Sequence, residues 1–337
     1  ESETIAINDP DYEPPVVVGG GSGGGGGSEP LAGALYAWGY NNVGQLGDGT
    51  TTDRLVPTQI GLDIDWSSVA AGAHSIAIKT DGTLWGWGQN DVGQVGDGTT
   101  TNRSTPVQIG VDTNWETVTS GYFHTVGRKS DGTLWAWGFN GNGQIGNGTT
   151  SNQLTPIQVG SETNWELVST GERHTVAIKT DGTLWAWGRN SFGQLGDGTT
   201  TQRTTPIQIG VESNWERVAA GRNHTVAIKS DGTLWAWGLN SNGQLGNGST
   251  TQRTTPTQIG SDTDWDSISL GGEHTVGLKT DGTLWAWGRN SGGQLGDGTT
   301  TQRVTPTQIG SANDWGAIYA GSSQTSGIKT DGTLWAW

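Results

Sequence analysis

Cysteine and methionine are absent from all 337 residues. No disulfide framework, thiolate metal ligand or thiol nucleophile is therefore available. Basic side chains are scarce: 17 Lys and Arg stand against 32 Asp and Glu, a formal charge of -15. Nucleic-acid binding needs clustered cations that displace counterions from phosphates, and an anionic membrane surface needs the same, so neither partner is expected. Apolar residues make up only 31%, and no run reaches the length of a membrane span or a signal-peptide core. Position 1 is not Met either, which fits a processed product or an excised fragment. The reading adopted is a mature exported protein, extracellular or surface-associated.

What is abundant is glycine, with 59 positions, and tryptophan, with 19. The segment Leu-Trp-Ala-Trp recurs with its second Trp at Trp87, Trp137, Trp187, Trp237, Trp287 and Trp337, every 50 residues, and Trp38 heads an earlier variant. All 19 Trp fall into three repeat positions, the Trp38, Trp66 and Trp85 series, leaving none for a special site. Each unit reads as four short strands, exemplified by residues 165–170 (A), 174–179 (B), 184–188 (C) and 206–209 (D). A Lys-Thr/Ser-Asp-Gly-Thr hairpin joins B to C, and a longer polar connection joins C to D. Trp185 and Trp187 share one face of strand C and Leu184 and Ala186 the other, so the sheet needs neighbours on both sides. Four-stranded units of period about 50 packed face to face describe an all-β propeller of antiparallel blades.

The ordered motifs are Gly-x-x-His-Thr, then Asp-Gly-Thr-Leu-Trp-Ala-Trp-Gly, then Asn-x-x-Gly-Gln-Leu-Gly-Asp-Gly. Over residues 35–337 this set resembles the regulator of chromosome condensation repeat family. The resemblance implies a propeller, usually seven-bladed. The strand inventory is uneven, because A, B and D occur six times and C seven; seven blades are favoured over six on the resemblance. Residues 1–34 lie outside the repeat: an acidic segment, then a Gly/Ser linker at 19–28. Residues 4–7 or 16–18 are candidates for an added strand on a sheet edge, in this molecule or a neighbour.

No catalytic group, metal site or cofactor stands out. His74, His124, His174, His224 and His274 hold the same place in their repeats, with Gln324 in the sixth, which suggests structural rings bonding backbone within their own blades. The series Asp81, Asp131, Asp181, Asp231, Asp281 and Asp331 is explained by its turns. In the Gly-Asp-Gly-Thr stretch, a conceivable calcium loop, Asn147 and Asn247 replace Asp, and no full ligand set is visible. The end of each blade carrying the B–C turns, with Asp63, Asp112, Glu162, Glu212 and Asp262, reads as a solvated acidic face.

The opposite loops vary. Before each His, or the Gln324 in its place, stand Tyr122 and Phe123, Glu172 and Arg173, Arg222 and Asn223, Gly272 and Glu273, and Ser322 and Ser323. After strand C stand Tyr40, Gln89, Phe139, Arg189, Leu239 and Arg289, with Phe192 close by. Aromatics and arginines gathered on a rigid scaffold are the composition of a ligand-binding face. The family's namesake is a nucleotide-exchange factor with an inserted wedge and a basic tail, and this chain has neither. Light-sensing relatives carry Trp where Gly171-Glu172-Arg173-His174-Thr175 has Glu. The expected function is a non-enzymatic binding or adhesion module for a protein or glycan; the alternative is a structural subunit of an appendage, filament or virion fibre that self-assembles through residues 1–18.

Overall fold

Short runs of β-branched and aromatic residues, bounded by glycine and polar turns, become the strands of each repeat. Around residue 190 these are A, Trp165–Thr170; B, His174–Lys179; C, Leu184–Gly188; and D, Arg203–Gln208. They pair antiparallel in the order A-B-C-D. The structure, a computed structural model, describes residues 4–9, 13–18 and 33–337. The chain forms two units, 1–141 with 150–163 and 142–149 with 164–337, and every contact given below lies within one of them.

The B–C turn shows how local sequence sets geometry. Asp181 Oδ1 accepts from the Thr183 amide at 3.0 Å and its hydroxyl at 2.6 Å, and that hydroxyl accepts from Trp185 Nε1 at 2.9 Å. Gly182 takes a φ of 75°, and a Cβ there would lie 2.3 Å from the Ser213 carbonyl oxygen. Only glycine meets both demands.

Strand D begins at Arg203, three residues before the Pro206 that the sequence pattern predicts. There Arg203 pairs with Gly188 across a register shift, and the Asp197 carboxylate holds its Nε at 2.9 Å and Nη2 at 2.5 Å. Gln153 and Arg253 take the same place opposite Gly138 and Gly238, so the register belongs to the strand C Gly and the ion pair is added to it. Pro206 is tolerated because D is the outermost strand.

The blade count corrects the expectation of seven: six sheets have four strands. Five repeat the A-B-C-D order, with A strands starting at Trp66, Trp115, Trp165, Trp215 and Trp265. In the first, Thr4–Asp9 pairs antiparallel with Glu13–Val18 and parallel with Leu35–Gly39, which pairs with Arg54–Gln59. The remaining strands, Trp315–Ala320, Thr325–Lys329 and Leu334–Ala336, form a three-stranded sheet without a D strand among the described residues. Among the described residues there are six D strands, so six sheets are completed. The candidate added strands at 4–7 and 16–18 lie in that first sheet, one of them parallel to its neighbour, and the linker 19–28 lies outside the described residues.

The core lies between neighbouring sheets. One cluster joins Val176, Ile178 and Leu184 of one sheet to Trp215, Ala227 and Trp237 of the next, with Leu195 from the C–D loop inserted among them. That loop also stitches polar groups. The Gln194 carbonyl accepts from Thr225 Oγ1 at 2.8 Å and Trp237 Nε1 at 3.0 Å, and the Gly198 amide donates to the Thr254 carbonyl at 2.9 Å.

Candidate binding surface

In five repeats the two variable positions are hydrogen-bonded neighbours. The amide after strand C donates to the carbonyl of the residue before the His: Gln89 to Ala73 at 3.1 Å, Phe139 to Phe123 at 2.8 Å, Arg189 to Arg173 at 2.8 Å, Leu239 to Asn223 at 2.9 Å and Arg289 to Glu273 at 2.9 Å. Two side chains free to differ between repeats therefore always emerge side by side.

In the first unit this produces an aromatic group. Phe123 lies 5.9 Å from Tyr122 and 6.1 Å from Phe139, ring centre to ring centre. All three are half-buried, as are Tyr40 and Gln89 at the equivalent post-C positions.

In the second unit the corresponding places are ionic. Glu172, 8% exposed, accepts from Arg173 Nε at 3.2 Å and Arg222 Nε at 2.9 Å. Arg189 stands 5.4 Å from the Phe192 ring, and Asn223 Oδ1 accepts from Gln194 Nε2 at 3.4 Å. Leu239 is half-buried and Arg289 exposed; Arg289 Nη1 pairs with Glu273 Oε2 at 3.3 Å. Glu273, one of the variable pair before His274 but not among the candidate site residues, joins the site through this ion pair.

Four of the five histidines bond side chains of the following sheet, not backbone in their own. Nε2 lies near the hydroxyl of the Thr after the next repeat's His or Gln: His74 to Thr125 at 2.6 Å, His174 to Thr225 at 3.1 Å, His224 to Thr275 at 3.2 Å and His274 to Thr325 at 3.0 Å. Each Thr hydroxyl gives its own proton to a loop Gln carbonyl, so it can only accept from Nε2–H, which fixes the tautomer. Complete burial pulls His74, His174 and His224 down to about 3 and His274 to about 4. Neutral, immobilised rings of this kind bind sheets together and are not placed to shuttle protons.

The acidic end is more ordered than a solvated face. Lys229 Nζ sits 4.7 Å from the Trp215 ring and 3.9 Å from Trp235, capped by Glu212 at 2.7 Å. Lys79 repeats this with Trp66, Trp85, Asp63 and Asp65; burial opposes its charge, but the two carboxylate hydrogen bonds outweigh that and raise its pKa. The carboxylates of the Gly-Asp-Gly loops are likewise engaged, Asp197 Oδ1 accepting from Asn190 Nδ2 at 2.9 Å and from the Thr199 hydroxyl at 2.8 Å. Among the described residues no three His, Asp or Glu side chains are grouped to hold a metal ion.

Comparison with known proteins agrees with this architecture. The description "RCC1-like domain" matches residues 69–337, and "Regulator of chromosome condensation (RCC1) repeat" matches residues 32–78. No curated protein sequence matches significantly. Yeast RCC1 (Prp20), in its complex with Kap60, has a TM-score of 0.82 at 22% identity, covering 92% of this chain and 80% of that one. Human WBSCR16 has a TM-score of 0.82 at 20% identity, covering 97% and 87%. Prp20p of Saccharomyces cerevisiae, described with its binding to Gsp1p and histones, has a TM-score of 0.79 at 21% identity, covering 94% and 81%. At these identities the likeness establishes the fold. With the family match spanning most of the sequence, this chain belongs to the RCC1-like domain family of β-propellers.

Proposed function

We propose that this chain is a non-catalytic protein-binding propeller that recognises its partner through the paired variable positions. The observation that carries the reading is the amide-to-carbonyl link between the residue after strand C and the residue before the His, found in five repeats. It sets differing side chains side by side on a scaffold whose other parts scarcely change, which is how rigid folds present recognition loops. The Tyr122, Phe123 and Phe139 group supplies aromatic anchors of the kind that dominate protein interfaces. Support also comes from the structural relatives, since yeast Prp20 is described with Kap60, Gsp1p and histones, all proteins.

The test is affinity capture from the native source with the wild-type chain and with the Phe123→Ala, Phe139→Ala double variant. A protein retained by the wild type and lost by the variant, at an unchanged melting temperature, supports the reading. The same protein retained equally by both overturns the assignment of the site.

A further inference from the structure

In four repeats the loop Asp is held by the first arginine of strand D: Asp48 by Arg54, Asp97 by Arg103 and Asp197 by Arg203 at 2.5 Å, and Asp297 by Arg303 at 2.6 Å. In a fifth both partners change, to Asn147 and Gln153. In the sixth only the acid changes: Asn247 stands where Asp is expected, and Arg253 remains.

The loop keeps its fold, because Asn247 Oδ1 still accepts from Asn240 Nδ2 at 3.1 Å, the Ser249 amide at 3.1 Å and the Ser249 hydroxyl at 2.9 Å. The consequence falls on the other atoms. Asn247 Nδ2 is buried without a hydrogen-bond partner. The Arg253 side chain, exposed, has neither ion pair nor hydrogen bond among the described residues. A buried amide donor left unmade is costly, and here it is coupled to an unmatched positive charge in a chain of net charge -15.

Residues Asn247 and Arg253 both line one groove of about 460 Å³, between the sheets whose A strands start at Trp215 and Trp265, and the Asn247 Nδ2 atom lies beneath its surface. Its remaining walls include Gln258, Asp262, Trp285 and Pro306. The equivalent groove in the first unit is about 290 Å³ and has Asp97 in place of Asn247, with Arg103 bound to that Asp. The larger groove is thus the one in which the internal carboxylate has been withdrawn.

A carboxylate from outside is the natural complement, since it accepts from a guanidinium fork and an amide at once. Asp262, itself held by Lys279 Nζ at 2.7 Å, stands in the same groove and disfavours a ligand with several negative charges. With Gln258 it suits hydroxyl groups instead, while Trp285 and Pro306 offer flat apolar walls to the C–H face of a ring. One negative charge, several hydroxyls and a flat apolar face describe a uronic acid.

We propose that this groove binds a uronic acid unit of an acidic glycan, with its carboxylate on Arg253 and Asn247 Nδ2 and its ring against Trp285 and Pro306. The site is separate from the paired loop positions, and the two readings stand or fall apart. The test is calorimetric titration of the full chain with a glucuronic acid–glucose disaccharide, with cellobiose and a glutamate-containing tripeptide as controls. Expected are binding of the acidic disaccharide alone, weakening as salt is raised, and at least a tenfold loss in Arg253→Ala. Asn247→Asp should lose as much while folding normally, because it rebuilds the pair found in four other repeats. No binding of the acidic disaccharide, equal binding of cellobiose, preference for the tripeptide, or undiminished affinity in Asn247→Asp would each overturn the proposal.

Discussion

His224 donates its Nε2–H to Thr275 Oγ1 across two neighbouring sheets, at 3.2 Å, and both side chains are fully buried. The same hydroxyl gives its proton to the Gln244 carbonyl at 2.8 Å. Thr275→Val keeps the shape and removes both bonds, leaving a buried ring N–H without an acceptor. A loss of about 2 kcal/mol is expected, against less than about 1 for Thr275→Ser. Urea unfolding of the two variants checks this, and equal midpoints would show that the link contributes nothing.

Acid should weaken the fold in a window set by the imidazoles. Burial holds His74, His174 and His224 at about 3 and His274 at about 4, against an ordinary 6.5. The unfolded chain therefore takes up protons first, so the contribution is complete above pH 6.5 and is lost as pH falls from there toward 3. Carboxylates such as Asp297, held at about 2 by hydrogen bonds that outweigh its burial, act only below its ordinary 3.8. Melting temperature should be level near neutrality and decline below pH 6.5. His224→Gln, which copies Gln324 of the sixth repeat, should decline less steeply; an identical slope would refute the assignment.

Gly182→Ala places a Cβ 2.3 Å from the Ser213 carbonyl at a φ of 75°. The turn must shift, at an expected cost of about 2 kcal/mol or more. Gly210 also has a positive φ, 69°, but nothing within 4 Å, so Gly210→Ala should cost about 1 kcal/mol. Thermal melts of the two variants separate close approach from backbone strain.

Lys229→Met keeps the alkyl stem between Trp215 and Trp235 and deletes the ammonium from both ring faces and from Glu212. A loss of about 1–2 kcal/mol is expected, since the lysine side chain is only 6% exposed. Raising salt should not reproduce the loss, which distinguishes a desolvated cation from a surface pair.

The sequence carried the fold further than the site. Strand identities, the two-faced C strand of Leu184 to Trp187 and the glycine-dependent turn at Gly182 follow from alternation and turn chemistry alone. Blade number did not, because counting strands does not say which pair, and the parallel contact of Thr4–Asp9 with Leu35–Gly39 has no periodic signal. The variable loops were legible as variable. Their pairwise bonding was not, since Phe123 and Phe139 are brought together by the B–C ladder and not by proximity in the chain. The lysine cages were not legible, because cation and indoles belong to three different strands.

The C–D loops reach the following repeat at nearly constant offsets: 31 residues from Gln194 to Thr225 and 43 from Gln194 to Trp237, against 30 and 42 from Gln45 to Ser75 and Trp87. Such a chain can gain or lose a whole module by gene duplication or deletion without inventing a new junction, because the junctions between the repeats of A-B-C-D order use nearly the same parts. Individuality must then be written as single-letter departures on interchangeable units, and a lone Asp-to-Asn exchange such as that at Asn247 becomes the smallest mark by which one module is told from its siblings.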